Sequence, residues 1–101
     1  MFIHSVYFWL KDDLTARQVD TFHDGIASLT AIRTVQVAHT GKPAPTDRPI
    51  IDSTYSQALI LVFSSQADHD SYQDHDVHEA FRQTCGDFWH KIVIYDCVTE
   101  G

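Results

Sequence analysis

Apolar side chains lie on both faces of three segments that have the composition of β-strands. Residues 2–10, 55–63 and 91–98 are rich in β-branched and aromatic residues. One face would carry Val6, Phe8, Leu59, Leu61, Phe63, Ile92 and Ile94, and the other Ile3, Tyr7, Trp9, Ala58, Ile60, Val62, Val93 and Tyr95. An antiparallel sheet with one face in water would instead alternate polar and apolar residues. Helices can cover one face only, so the sequence predicts that the other packs on a second copy, in a homodimeric barrel.

The rest of the chain contains helical patterns and one further strand. Thr15 and Gln18 have the form of a capping box, which predicts a helix of about four turns. Its apolar positions at helical spacing are Val19, Phe22, Ile26 and Leu29. A strand is predicted over 34–40, a short acidic helix over 65–74, and a helix over 77–89. The order β-α-β-β-α-β predicts an α+β, ferredoxin-like fold, with a four-stranded antiparallel sheet covered by helices.

Length and charge limit the classes of protein and partner. The 101 residues suffice for one domain, over residues 1–101. Seven basic and fourteen acidic residues give a net charge of −7, and the basic residues are scattered, so we expect no nucleic-acid partner. The longest apolar runs, Val6–Leu10 and Ala58–Phe63, are too short to cross a membrane. The N-terminal residues lack the features of a secretion signal, so we expect a cytoplasmic protein.

Neither the cysteines nor the histidines have the spacing of a metal site. Cys85 and Cys97 are too few for a disulfide framework, and we predict that both are buried, unbridged residues. The acidic, histidine-rich segment 68–79 offers imidazoles and carboxylates of the kind that bind Zn²⁺. However, His75 and His78 lie three residues apart, not the four of the H-E-x-x-H motif. The sequence therefore predicts no metal.

Four segments in order carry a resemblance to a known family. They are His4–Thr15, Gly41–Pro43, Tyr72–His78 and Phe88–Asp96. Together they resemble the stress-responsive A/B barrel (Dabb) family over essentially the whole chain. The resemblance implies a dimeric α+β barrel. It also relates the chain to plant stress proteins, to bacterial proteins of unknown role, and to a plant polyketide cyclase that closes a ring by an aldol condensation without a cofactor.

The same resemblance suggests site residues. Tyr72 and His78 are similar in position to the catalytic pair of that cyclase, and His75 and His4 match two further histidines. Trp89 and Asp96 are also kept. The chain departs from the cyclase at Asp76, which replaces a proline, and at His23 and Ile26, which replace aromatic residues. These changes alter the expected shape of the pocket.

The residues themselves are compatible with acid–base chemistry. We expect the chain to turn at Asp74–Asp76 between two helices, with Asp76 as the cap of the second. His78 would then lie in a first helical turn, where the helix dipole favours the neutral imidazole. A neutral His78 could take a proton from a carbon between carbonyls while Tyr72 donates to the oxygen that gains charge. The alternative is that both side chains only close the mouth of a pocket.

An apolar cavity is expected between the sheet and the helices, where His4 shares a strand face with apolar residues. The predicted catalytic residues are Tyr72 and His78, and the predicted ligand-binding residues are His4, Val6, Phe8, Phe22, His23, Ile26, Leu59, Leu61, His75, Phe81, Ile92 and Ile94. An apolar cavity with a few polar groups is typical of a small-molecule site. The alternative is a filled core with one hydrogen-bonded histidine.

Three functional hypotheses follow. The first is a homodimer that binds a small apolar or polyketone-like molecule, with Tyr72 and His78 as the acid–base pair of a cofactor-independent lyase or cyclase. The second is a non-catalytic stress-response or assembly protein. The third, supported by fold analogy alone, is a cofactor-free monooxygenase of the dimeric-barrel type.

Overall fold

Seven elements make up the fold. The computed structural model describes residues 1–100. The strands are β1 (Phe2–Leu10), β2 (Val37–Gly41), β3 (Gln57–Phe63) and β4 (Trp89–Val98), and the helices are α1 (Ala16–Thr30), α2 (Gln66–Gln73) and α3 (Asp76–Cys85). All strand pairs are antiparallel, and the sheet order is β2-β3-β1-β4. This is the predicted ferredoxin-like arrangement, which is confirmed.

Local sequence explains where α1 begins and which face it buries. The Thr15 hydroxyl accepts a hydrogen bond from the Gln18 amide, and the Gln18 side chain accepts one from the Thr15 amide. These two bonds complete the predicted capping box and satisfy two amides that have no partner inside the helix. Phe22, Ile26 and Leu29 form the buried stripe of α1. Packing of this stripe on the sheet creates the main core.

Four boundaries differ from the sequence prediction by two residues or more, and one of them is the start of the last strand, at Trp89 rather than 91. The second strand begins at Val37 rather than 34, because the Val35 amide closes a turn on the Ile32 carbonyl. The third strand begins at Gln57 rather than 55. The last helix ends at Cys85 rather than 89, since Phe88 donates to the Cys85 carbonyl and Trp89 already pairs with Leu10 in the sheet.

The register of the strands decides which side chains share the helix-covered face. His4 lies opposite Leu61 on β3 and opposite Asp96 on β4. Val6 lies opposite Leu59 and Ile94 in the same way. Directly opposed residues point to the same side of a sheet. One histidine and one aspartate are therefore placed among the apolar residues of the covered face.

The second face of the sheet has no layer upon it. The molecule measures 39 × 36 × 17 Å, and the smallest dimension leaves room for one sheet and one layer of helices. Tyr95 is 67% exposed and Val37 is 43% exposed on this side. We call it the open face; it consists of Ile3, Ser5, Tyr7, Trp9, Val37, His39, Ala58, Ile60, Val62, Lys91, Val93, Tyr95 and Cys97. The prediction that Cys97 is buried is wrong for the single chain, because Cys97 lies on this face and is exposed, whereas Cys85 is buried.

Candidate functional site

A cavity of about 340 Å³ lies between the sheet and the helices, and it opens beside β4, where Ile92 and Ile94 are exposed. Its walls come from β1, β3, β4 and all three helices. The lining residues are His4, Val6, Phe8, Leu29, Leu59, Tyr72, Gln73, His78, Phe81, Arg82, Trp89, Ile92 and Ile94. The volume and the mainly apolar lining are those of a small-molecule site.

The turn between α2 and α3 brings Tyr72 and His78 together. Tyr72 lies in the last turn of α2, and His78 is the third residue of α3. Their ring centroids are 4.9 Å apart, with the rings at 77° to one another. The expected cap is wrong, because His75 rather than Asp76 caps α3, through a hydrogen bond from the Val77 amide to His75 Nδ1.

Tyr72 is held in its protonated form by burial. Only 1% of the residue is exposed, and its ring packs against Phe63 and against His4. Burial raises the pKa of Tyr72, since a phenolate would lose its hydration in this apolar setting. Tyr72 can therefore donate a hydrogen bond at any physiological pH.

His78 is a neutral base with a free nitrogen. Burial is the main cause that lowers the pKa of His78, and the positive charge of Arg82 lowers it further, whereas Glu79 raises it. Its Nδ1 atom is buried and has no hydrogen-bond partner among residues 1–100. A neutral imidazole has one ring nitrogen without a proton, and that nitrogen can accept a proton from a bound molecule.

His4 reaches the cavity from β1 and is oriented by Asp96 of β4. His4 Nδ1 and Asp96 Oδ1 are 2.5 Å apart. Burial lowers the pKa of His4 more than the hydrogen bond and the charge of Asp96 raise it. The pair is therefore a hydrogen bond from a neutral imidazole to a carboxylate. Because a carboxylate only accepts, Nδ1 carries the proton, and Nε2 keeps its lone pair.

His69 completes the one group of potential metal ligands within residues 1–100. One ligand atom each of His4, His69 and Asp96 lies within 4.8 Å of the others. A tetrahedral zinc ion, with bonds of about 2.0–2.1 Å, requires ligand atoms only about 3.3 Å apart. His69 also already contacts Asp70 through Nδ1 and Gln73 through Nε2. Metal binding would have to replace these hydrogen bonds and draw the side chains together.

Most of the site residues expected from the sequence surround this cavity. Those in its wall are His4, Val6, Phe8, Leu59, Tyr72, His78, Phe81, Ile92 and Ile94. Phe22 and Leu61 are instead fully buried in the core, where Phe22 packs behind Phe8 and Phe81. The structure thus places Phe22 and Leu61 outside the cavity, because other side chains lie between them and the cavity.

Three other expected residues lie elsewhere. His23 is exposed and, with Ile26, borders a separate depression between α1 and β2. Ile26 itself is part of the core. His75 is exposed and is occupied as the cap of α3. The prediction that these residues line the pocket with His4 is therefore wrong.

Four residues that line the cavity are not among the site residues predicted from the sequence, although the position of each in the sequence could have indicated it. Arg82 follows His78 by four residues on α3, so the two share a helix face. Leu29 belongs to the same stripe as Ile26, and Gln73 directly follows Tyr72. Trp89 stacks on Phe81, with ring centroids 5.7 Å apart, and was assigned to the end of a helix instead of to β4.

Solved structures with the same fold cover nearly the whole chain. A Dabb family protein from Mesorhizobium loti with a ferredoxin-like fold is 28% identical, with a TM-score of 0.78 over 99% of this chain and 97% of that one. A hydroxynitrile lyase from Passiflora edulis is 21% identical, with a TM-score of 0.80 over 98% and 93%. A ferredoxin-like protein from Thermobifida fusca, described as dimeric, is 20% identical, with a TM-score of 0.76 over 97% and 90%.

Two further comparisons concern the sequence and the membrane. No protein of curated function matches the chain by sequence. Among residues 1–100, no helix combines the length and the apolar character that crossing a bilayer requires. The sequence model of the family described as "Stress responsive A/B Barrel Domain" matches residues 2–99. On this match, and with the fold and the cavity described above, the chain belongs to the stress-responsive A/B barrel (Dabb) family.

Proposed function

We propose that this protein is a homodimer that binds a small apolar organic molecule in the cavity and acts on it as a cofactor-independent lyase or cyclase. The observation that carries the proposal is the pair formed by Tyr72 and His78 in the cavity wall. A neutral imidazole with a free buried nitrogen stands 4.9 Å, ring to ring, from a buried phenol. A base and a hydrogen-bond donor this close together in the cavity wall can act on one small molecule bound beside them.

The proposed reaction begins at a carbon between two carbonyl groups. The imidazole of His78 takes the proton from that carbon, and the electron pair of the C–H bond moves to form an enolate. Tyr72 donates a hydrogen bond to the enolate oxygen, where the negative charge develops. In a cyclase, the enolate carbon then attacks a second carbonyl of the same molecule. A carbon–carbon bond forms, and His78 returns its proton to the new alkoxide oxygen.

The open face supports the dimer. Apolar and aromatic residues cover it, and large exposed apolar surfaces mark interfaces between proteins. Tyr7 contacts Tyr55 and Tyr95 there, and Lys91 lies 4.4 Å over the Trp9 ring. A second copy would cover the same face with the same side chains, as in an isologous interface. The related fold of a protein described as dimeric, from Thermobifida fusca, agrees with this arrangement.

The Passiflora hydroxynitrile lyase offers a parallel of fold alone. It supports the proposal only in that a lyase exists on this architecture, since one fold hosts many activities. The reaction here is argued from Tyr72 and His78. A cytoplasmic location remains a prediction.

Substitution of the two residues tests the proposal. We expect a screen of β-polyketones and phenols by thermal shift to find ligands of the wild-type protein, and turnover of a polyketone to be followed by chromatography. The variant His78→Ala should lose about 100-fold or more in kcat, the range for a lost general base. Tyr72→Phe should lose about as much, because the oxygen loses its donor.

The control is His90→Ala, which removes an exposed imidazole from β4. Its turnover and its dimer mass should equal those of the wild type. If Tyr72→Phe and His78→Ala turn over normally, the assignment of the pair is wrong. If no compound binds or reacts while the dimer is intact, the proposed function fails in favour of a structural or assembly role. Turnover that depends on oxygen would favour a monooxygenase.

A further inference from the structure

The wall of the cavity carries one permanent cation and no acidic residue. Arg82 is the only lysine or arginine among the lining residues, and none of them is aspartate or glutamate. This contrasts with the whole chain, which has a net charge of −7. The nearby Asp96 is already paired with His4. The one permanently charged side chain in the cavity wall is therefore positive although the protein is acidic, and it attracts a ligand of negative charge.

Among residues 1–100, the Arg82 guanidinium has no hydrogen-bond or ion-pair partner. No side-chain hydrogen bond or ion pair joins it to any of residues 1–100, within which the ion pairs involve only histidines. Glu79, one turn earlier on α3, instead accepts a hydrogen bond from Gln83. Arg82 is exposed, and it follows His78 by four residues, so its side chain shares the face that borders the cavity. Its donors are free for a ligand.

The surroundings of Arg82 indicate what kind of anion fits. A guanidinium offers two parallel N–H groups that match a carboxylate. No lysine, second arginine or glycine-rich loop lines the cavity to balance a second charge, as a phosphate would require. Most of the remaining wall is apolar, with Phe8, Leu29 and Leu59 at the sheet and at α1. A ligand that fits this cavity would therefore have one negatively charged end and an apolar body.

We propose that Arg82 binds the carboxylate of an apolar organic acid, whose hydrophobic body fills the cavity beside Tyr72 and His78. This inference rests on the proposed function, because it assigns the substrate class of the same site. Arg82 holds the acid end at the open side of the cavity, and the apolar end extends toward Phe8 and Leu59. It is a positioning residue that fixes which carbon of the ligand meets His78.

Binding of a matched pair of probes tests the role of Arg82 without any need for turnover. The probes are 4-butylbenzoate and 4-butylbenzamide, which share the apolar body and differ in charge. Isothermal titration should show that the wild type binds the acid about tenfold or more tightly than the amide, the value of a charge-assisted hydrogen bond. Added salt should reduce this preference, since it screens the charge at this partly open site.

The variants Arg82→Gln and Arg82→Lys separate charge from geometry. Arg82→Gln should bind acid and amide equally, with amide affinity unchanged, and Arg82→Lys should keep part of the preference. The control Arg17→Gln removes an exposed arginine from the first turn of α1, away from the cavity, and should behave as the wild type. Circular dichroism of each variant confirms that the fold is intact.

The outcomes distinguish this inference from the proposed function. Equal binding of both probes by the wild type, or a preference for the acid that persists in Arg82→Gln, overturns the role of Arg82 while ligand binding in the cavity stands. A wild-type protein that binds neither probe nor any compound of the screen contradicts both proposals. Strong preference for inorganic phosphate over the acid overturns the assignment to a carboxylate.

Discussion

At the scale of single residues, two histidines line the cavity, of which His4 is buried and His78 is half-buried. His4 and His78 both have a pKa below the ordinary value for histidine, and burial is the main cause for each. The protein thus keeps two imidazoles neutral beside Tyr72, whose pKa burial raises. A neutral base and a protonated phenol are the states that proton abstraction from carbon requires. Burial is the largest cause of both protonation states, and the charge of Arg82 adds to it at His78.

The lowered pKa values predict a loss of stability in mild acid. The unfolded chain binds protons at His4 and His78 near pH 6.5, whereas the folded chain binds them only at lower pH. Where the unfolded state holds more protons, stability rises with pH. The free energy of unfolding should therefore be highest above pH 6.5 and decline as the pH falls from there through the folded pKa values.

Urea unfolding at pH 7.5 and at pH 5.5, at one fixed protein concentration, measures this decline. The variant His78→Gln should show a smaller difference between the two pH values than the wild type, because it lacks one of the two groups. His90→Ala is the control and should show the wild-type difference. A midpoint that is the same at both pH values, or higher at pH 5.5, would contradict the explanation.

At the scale of elements, a glycine sets how closely α1 and α3 pack. A methyl group added at Gly25 would lie 2.7 Å from a Phe81 ring carbon and 3.2 Å from Cys85 Sγ. Glycine inside a helix costs about 1 kcal/mol relative to alanine, so its presence here is explained by the space it leaves for Phe81. Phe81 in turn lines the cavity. The helix contact therefore helps to define the shape of the site.

The variant Gly25→Ala should be destabilised although alanine favours helices. Crowding of a packed core costs about 1–3 kcal/mol, which exceeds the gain in helix propensity. Ligand affinity should fall as well, because Phe81 must shift. Gly41→Ala is the matched control, since its new methyl group would have no neighbour within 4 Å. Thermal and urea unfolding of both variants check the prediction, and an unchanged or raised stability of Gly25→Ala would refute it.

The whole molecule is a two-layer structure with one uncovered face. Tyr95 is the most exposed aromatic residue on that face, and it stands beside Tyr7 at the centre of the sheet. The cavity lies on the opposite side of the sheet, against the helices. The proposed dimer contact and the proposed ligand site are thus on opposite sides of the sheet, and substitutions can test them independently.

A charge introduced on the open face should test the proposed dimer without altering the proposed ligand site. The variant Tyr95→Glu would place two carboxylates in the dimer interface, where their desolvation is costly. We expect it to sediment as a monomer at micromolar concentration, whereas the wild type sediments with twice the mass of one chain. Gln83→Glu, an equal change of charge on the exposed side of α3, should remain dimeric. A folded wild-type monomer in dilute solution would contradict the proposed dimer.

Much of the architecture follows from local patterns in the sequence. The capping box at Thr15, the stripe of α1 and the β-branched and aromatic composition of β1 are each local features, so the sequence alone predicts these elements. The turn at Asp74–Asp76, which brings Tyr72 to His78, is also local. Even Arg82 could have been placed, because its spacing of four from His78 is a rule of helix geometry.

Other features depended on contacts between distant parts of the chain. The pairing of His4 with Asp96 spans 92 residues and exists because β1 and β4 adopt one register. No local sequence pattern predicts the register between β1 and β4. Tertiary packing likewise decided that Phe22 fills the core instead of the cavity, and that His78 lies in the cavity wall. The periodicity of apolar residues predicts the face of a helix or strand on which a residue lies. Only the packed tertiary structure decides whether another side chain or a cavity lies against that face.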